Sequence, residues 1–145
     1  MAIINGRCYD WNSVTLGISG CENVEPTEIS YDAERDEEVI YGKGGDPRGY
    51  GTGNRKNSVK MSMLREDFDE ICNVMQKKGV KSFFNHIFEK ITVSYGNDGQ
   101  KVVTDTLTNV KFSKFSGKAS QGDKSIEVDL KGFAFGGVNI NGMKM

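Results

Sequence analysis

Two prolines and one histidine are all this 145-residue chain has of either residue. A single histidine cannot hold zinc unless thiolates or carboxylates join it at ligand spacing, and none do so in the sequence. Cysteine is nearly as sparse. Cys8, Cys21 and Cys72 are odd in number and form no C-x-x-C pair, so free thiols in a reducing compartment are expected, with a Cys8–Cys21 disulfide as the alternative. Charge of one sign is lacking too: the net charge is -1, which gives no global field toward nucleic acid or membranes. No apolar run is long enough to span a bilayer. The opening MAIINGRCYDWNS has no basic region followed by an apolar core, so no signal peptide is expected.

Glycine, by contrast, is abundant, at 18 residues. Much glycine with little proline suits strands joined by turns and is unlike a disordered linker. Val14, Leu16 and Ile18 alternate with Ser13, Thr15 and Gly17, the period of a half-buried strand. Gly20 and Asn23 mark a turn region. Alternation restarts at Thr27 and continues through Ile29, Tyr31, Ala33, Arg35, Glu37, Val39 and Tyr41. That predicts an unusually long strand with a polar middle. Residues 42–54, GKGGDPRGYGTGN, show no apolar periodicity and are expected to form a long loop. Val59, Met61 and Met63 then predict a returning strand.

One helix is predicted over residues 65–78. Phe68, Ile71, Cys72 and Met75 make one apolar stripe. Glu66 and Asp67 near its start and Lys77 and Lys78 near its end suit the helix dipole, and Gly79 supplies a stop. Beyond it, Ile87, Ile91, Val93 and Tyr95 predict a strand, and Gly96–Gly99 a hairpin turn. Val102 and Val103 begin the return strand, followed by a strand through Val110 and Phe112. Residues 116–124 are turn-like. Ile126, Val128 and Leu130 alternate, and Phe133 and Phe135 change parity across Gly132, which predicts a bulge there. The expected fold is one mainly β domain over residues 1–145, a β-sandwich or small barrel with one flanking α-helix.

Catalytic signatures are missing. The glycine run lacks the Lys-Ser or Lys-Thr of a phosphate loop and leads into a strand rather than a helix. His86 lies among Phe83, Phe84, Ile87 and Phe88, a setting for a structural histidine. Cys72 sits on the apolar helix stripe, where burial disfavours the thiolate. An enzyme is not expected, and neither a cofactor nor a metal site is implied. Charge is instead segregated. Glu22, Glu25, Glu28, Asp32, Glu34, Asp36, Glu37 and Glu38 face only Arg35, whereas Lys43, Arg48, Arg55, Lys56, Lys60 and Arg65 face only Asp46. These are two solvated faces or a bipolar hairpin whose acidic strand meets the basic loop of another copy. A long polar strand left unpaired recruits other chains, and closing several copies into one barrel removes its edges.

Several stretches carry a resemblance: Asn5-Gly6-Arg7 with Tyr9-Asp10-Trp11, Thr27-Glu28-Ile29-Ser30-Tyr31, Glu38-Val39-Ile40-Tyr41-Gly42, Pro47-Arg48-Gly49, Ser58-Val59-Lys60-Met61-Ser62 and Leu64-Arg65-Glu66-Asp67-Phe68. In this order they resemble the tail tube protein of contractile-tailed bacteriophages and phage-like bacteriocins. The resemblance implies hexameric rings that stack into a hollow tube inside a contracting sheath, with four strands per copy lining the channel. It implies a structural subunit of the virion tail, assembled in the host cytoplasm, that meets copies of itself, the sheath, the baseplate and the tail terminator. DNA would pass without specific binding, and tubes that pass DNA commonly have negative lumens. Carried onto this chain, the loop residues Lys43, Asp46, Pro47, Arg48, Tyr50 and Asn54 are the expected subunit interface. Strands near 27–41, 55–63, 87–95 and 125–135 are the pool for the channel, and Glu28, Asp32, Glu34 and Asp36 its candidate lining. The inner tube of a type VI secretion system is the nearest alternative. A β-sandwich ligand-binding module, with Trp11 and Tyr50 stacking on a sugar, is an alternative of another kind.

Overall fold

The computed structural model describes residues 10–18, 24–96 and 101–145. The Asn5–Tyr9 motif, Cys8, Cys21, Glu22, the turn at Gly20 and Asn23 and most of the turn at Gly96–Gly99 lie outside the described residues. Within them the strands are β1 (Val14–Ile18), β2 (Glu28–Tyr41), β3 (Pro47–Leu64), β4 (Phe88–Tyr95), β5 (Val103–Gly117), β6 (Glu127–Ala134), β7 (Val138–Ile140) and β8 (Met143–Lys144), with one helix, α1 (Arg65–Lys77). All pairings are antiparallel in the order β1-β4-β5-β6-β3-β2, and the short β7 and β8 extend from β5.

The sheet is rolled over on itself. A flat sheet would separate β2 from β4 by roughly 19 Å, four strand spacings of ~4.8 Å. Instead the hydroxyls of Tyr31 on β2 and Tyr95 on β4 lie 2.8 Å apart. The turn is made within β5. Its first half pairs with β4 and β7, and its second half, from Val110, pairs with β6. At the junction Asn109 takes a φ of 52°, a left-handed conformation that asparagine tolerates better than most residues. The inward face therefore changes parity, from Asp105 and Leu107 before it to Val110 and Phe112 after it, all buried. Strands that switch layers in this way form the corners of β-sandwiches.

A further irregularity fits the same strand to β6. Phe112 faces Gly132 and Lys114 faces Lys131, so Ser113 is an extra residue on β5. The bulge predicted at Gly132 is thus on the opposite strand, and β6 pairs with β3 without a break through Phe133, Gly132 and Lys131. Phe133 and Phe135 keep the outward parity and are exposed; Ala134 between them is buried. Gly132 is glycine because a Cβ there would meet the Lys111 carbonyl oxygen at 2.2 Å.

Three other expectations change. The predicted loop over 42–54 is largely strand. Only Gly42–Asp46 turns, with Gly44 and Gly45 at φ 94° and 85°, and β3 begins at Pro47. Its glycines are invisible to a periodicity test because this part of the hairpin has no core to face. The β2 ladder, with Gly49 opposite Ile40 and Gly51 opposite Glu38, holds them extended. Ile87 is exposed and precedes β4, whose buried first residue is Phe88. The two segments predicted over 102–112 are the single strand β5.

The helix forms where expected. Phe68, Ile71 and Met75 enter the core, and Cys72 is part-exposed. Leu64 offers no capping side chain; the Arg65 N–H donates to the Ile126 carbonyl at 2.9 Å instead. At the other end Gly79, φ 82°, donates to Gln76 O and Val80 N–H to Met75 O, the paired bonds of a Schellman stop. Phe68 packs on Phe83 and Phe115 at ring separations of 5.3 and 5.0 Å. The core joins both layers through Met61, Met63, Leu130 and Val128 on one and Ile91, Leu107 and Val138 on the other.

Three substitutions separate these contributions in denaturant unfolding. Leu130→Ala costs about 2–5 kcal/mol from transfer and cavity terms. Gly132→Ala costs about 1–3 kcal/mol from the backbone clash. Gly49→Ala, which meets nothing within 4 Å, stays within about 0.5 kcal/mol.

Candidate functional site

The outer face of the layer β5–β6–β3–β2 is polar by register. On β2, Glu28, Ser30, Asp32, Glu34, Asp36 and Glu38 share the outward parity, opposite the core-packed Ile29 and Tyr31. Two register shifts occur along the hairpin, and both extra residues are on β3, so β2 itself keeps its parity throughout. The expected row Glu28, Asp32, Glu34 and Asp36 is therefore brought onto one face. Successive rows run across the layer. Glu28 lies beside Ser62, Asp129 and Ser116; Ser30 beside Lys60, Lys131 and Lys114; Asp32 beside Ser58, Phe133 and Lys111. Ser62 Oγ donates to Asp129 Oδ1 at 2.5 Å. The face thus carries carboxylates mainly on β2 and lysines on β3, β6 and β5. Of the expected pool of four strands, β2, β3 and β6 are neighbours here. The stretch 87–95 is β4, on the far side of β5, and the fourth neighbour is the second half of β5.

Beyond Ser58, where β6 stops, β2 and β3 continue alone as an arm. From Ala33 to Tyr41 it reaches roughly 27 Å at ~3.3 Å per residue. Lys43 and Asp46 lie in its turn and Pro47, Arg48, Tyr50 and Asn54 on β3, all exposed. One side of the arm is bulky, with Val39 opposite Tyr50. The other presents Asp36, Glu38 and Ile40 beside Gly53 and, in register, Gly51 and Gly49. Tyr41 and Tyr50 are 63% and 70% exposed, so large apolar groups at the tip have no cover among the described residues.

Under the face, Tyr31 donates to the Asp105 carboxylate, whose other oxygen accepts from the Asn141 N–H at 3.1 Å. The single Tyr31 proton is then committed, so Tyr95 donates to the Tyr31 oxygen. This cluster ties β2 to β4, β5 and the turn before β8. Burial first, then the bonds to Asp105 and Tyr95, holds the Tyr31 hydroxyl well above the usual phenol range. Sequence reasoning placed Tyr31 on the inward parity but could not pair it with Asp105, 74 residues away.

The residues considered for catalysis are not assembled. His86 stacks edge-on against Phe88 at 4.7 Å, and burial followed by Lys78 lowers its pKa. The Cys72 thiol is pushed up by burial and then by Asp69. Among the described residues no three His, Cys, Asp or Glu side chains group as metal ligands. Trp11 lines an open cleft of about 680 Å³ with Leu16, Val24 and Leu64, but Tyr50 lies on the arm and not in that cleft. No helix among the described residues is long and apolar enough to cross a membrane.

No protein-family model matches the chain, and no curated protein matches it in sequence. Solved structures do match its fold. It is similar to a chain described as the sheath/tube terminator of an extracellular contractile injection system, PVC, in the extended state. The TM-score is 0.66 at 15% identity, covering 90% of this chain and 95% of that one. The anti-feeding prophage structure described as a tube-terminating cap gives 0.64 at 16% identity, covering 92% and 91%. A chain of the PVC sheath–tube complex gives 0.61 at 15% identity, covering 86% of each. The fold is that of tube and tube-terminator components of contractile injection systems.

The hydroxyl cluster sets a pH dependence. The folded Tyr31 pKa is raised, so its contribution is complete below the ordinary phenol pKa of about 10 and is lost as pH climbs above it. Tyr31→Phe leaves Asp105 short of a donor and costs about 1–3 kcal/mol at neutral pH. The gap between parent and variant narrows above pH 10, as read by urea unfolding at several pH values.

Proposed function

We propose that residues 1–145 act as one tail-tube-like domain, the structural subunit of the inner tube of a contractile particle. Copies join into rings, six to a ring by the resemblance, and the rings stack into a hollow conduit. The observation that carries this reading is the four-strand outer face. It is polar by register, and among the described residues β2 at its margin pairs with β3 alone. An exposed edge of fourteen residues is a template for another strand. A monomer gains from covering it, and a closed ring covers every copy at once.

In this reading Glu28, Asp32, Glu34 and Asp36 line the channel with lysines of β3, β5 and β6 among them. The carboxylate column of β2 interrupts the lysines of each copy, so a passing polyanion meets no continuous basic track, which supports conduction without specific binding. The arm, with Lys43, Asp46, Pro47, Arg48, Tyr50 and Asn54, reaches the adjacent ring or subunit and covers its Tyr41 and Tyr50 there. Sheath, baseplate and terminator proteins are the expected partners, and a phage tail that conducts DNA into its host is the expected setting. The fold similarity to an extracellular injection system equally supports a phage-like particle, and the similarity to a type six secretion system protein, TM-score 0.52 at 12% identity, supports a secretion tube.

Purified protein at rising concentration should give rings or tubes by negative-stain electron microscopy, with a ring mass in solution. A strict monomer at every concentration, and in the presence of sheath protein, would end the proposal. Replacing Lys43–Asp46 with a two-residue turn should leave circular dichroism and ring mass unchanged while tubes shorten to single or few rings.

A further inference from the structure

The outer face holds two like-charge arrangements, a carboxylate column along β2, in which Glu34 faces Lys56 on β3, and a lysine row across the layer. On β2, Asp32, Glu34, Asp36 and Glu38 stand on one face of one strand, each roughly 7 Å from the next. Across the layer, Lys60, Lys131 and Lys114 stand directly opposite one another on β3, β6 and β5. Like charges directly opposite destabilise a sheet. Both arrangements end at an open margin. β2 is the last strand of the order. At the other margin, β4 ends at Phe88 opposite Val110, so among the described residues β6 is the one strand paired with the second half of β5, and Phe83 stacks on Phe112 at its start. Residues 113–117 there are exposed.

We propose that the outer edge of β2 in one copy pairs with the Lys111–Gly117 edge of β5 in the next, with Asp32 and Glu34 set against Lys114 and Lys111. This rests on the ring reading above and specifies its seam. Direction allows it. β5, β6, β3 and β2 alternate, so β5 and β2 run oppositely and a rotated copy continues the antiparallel pattern. Spacing allows it as well. The extra residue at Ser113 brings Lys111 and Lys114 opposite Phe133 and Lys131, two residues apart on β6, which is also the separation of Asp32 and Glu34. Level pairing would put Asp32 in the row of Lys111. Closing a barrel requires a stagger, and a shift of two residues puts Glu34 on Lys111 and Asp32 on Lys114. The lysine row then ends on a carboxylate of the next copy. A second copy is the occupant because the two edges carry opposite charge, opposite direction and the same spacing.

A reciprocal charge swap tests the seam. Asp32→Lys/Glu34→Lys alone places lysine against lysine, and Lys111→Glu/Lys114→Glu alone places acid against acid. Each variant, checked as folded by circular dichroism and thermal melting, should assemble roughly tenfold less than the parent at low salt. An equimolar mixture restores both signs at every seam and should recover parental ring yield with alternating copies. If either variant alone assembles like the parent, with or without added DNA, or if the folded variants stay apart when mixed, the seam is wrong even though the ring stands. A parent that never assembles overturns the ring and the seam together. Asp32→Cys/Lys114→Cys gives an independent measurement: oxidised assemblies should run as a reducible ladder of covalent oligomers, and a monomer band alone from assembled rings rejects the pairing.

Discussion

One strand must hydrogen-bond in two layers at once, and the rest of the architecture follows from how β5 does it. A rolled sheet cannot leave backbone groups unpaired at its corner without a cost comparable to a lost hydrogen bond. Here the left-handed Asn109 lets the chain turn, while its carbonyl still accepts from Phe135 and Thr108 still bonds Gly136 and Gly137. Four residues later the extra Ser113 restores the fit to β6, and Gly132 yields the space for it. The inward residues on both sides of the corner then meet in one core, and Tyr31, Tyr95 and Asp105 close the layers over it.

Most of the elements were legible in the sequence because burial imposes a period. β1, the paired part of the long hairpin, α1 with its stop at Gly79, and β6 all face the core, and their apolar residues recur at 2.0 or 3.6. That Glu28, Asp32, Glu34 and Asp36 share one face was legible for the same reason, since Ile29 and Tyr31 take the inward parity of β2. What was illegible lies where side chains do not report the backbone. Gly49, Gly51 and Gly53 belong to a strand with nothing to bury, so their composition imitates a loop. The apparent parity change at Phe133 comes from two aromatic side chains on the outward face of an unbroken β6, and the bulge itself lies on β5, where it leaves no mark on the β6 sequence. The contribution of β5 to the polar face depends on a corner that only long-range pairing makes.

The surface chemistry is consistent with a part whose work is positional. Burial lowers the His86 pKa and raises that of the Cys72 thiol, while the charges that remain exposed are arranged by row and margin. A carboxylate column at one edge and a lysine row running to the other make the layer polar along its own width.

The arm has a different relation to the rest of the chain. Its β3 residues beyond Ser58 bury almost nothing, so a substitution there bears little on whether the body folds. Body and arm therefore accept change under separate rules. The sandwich is constrained by its own interior, and the hairpin tip, which faces no core, is not.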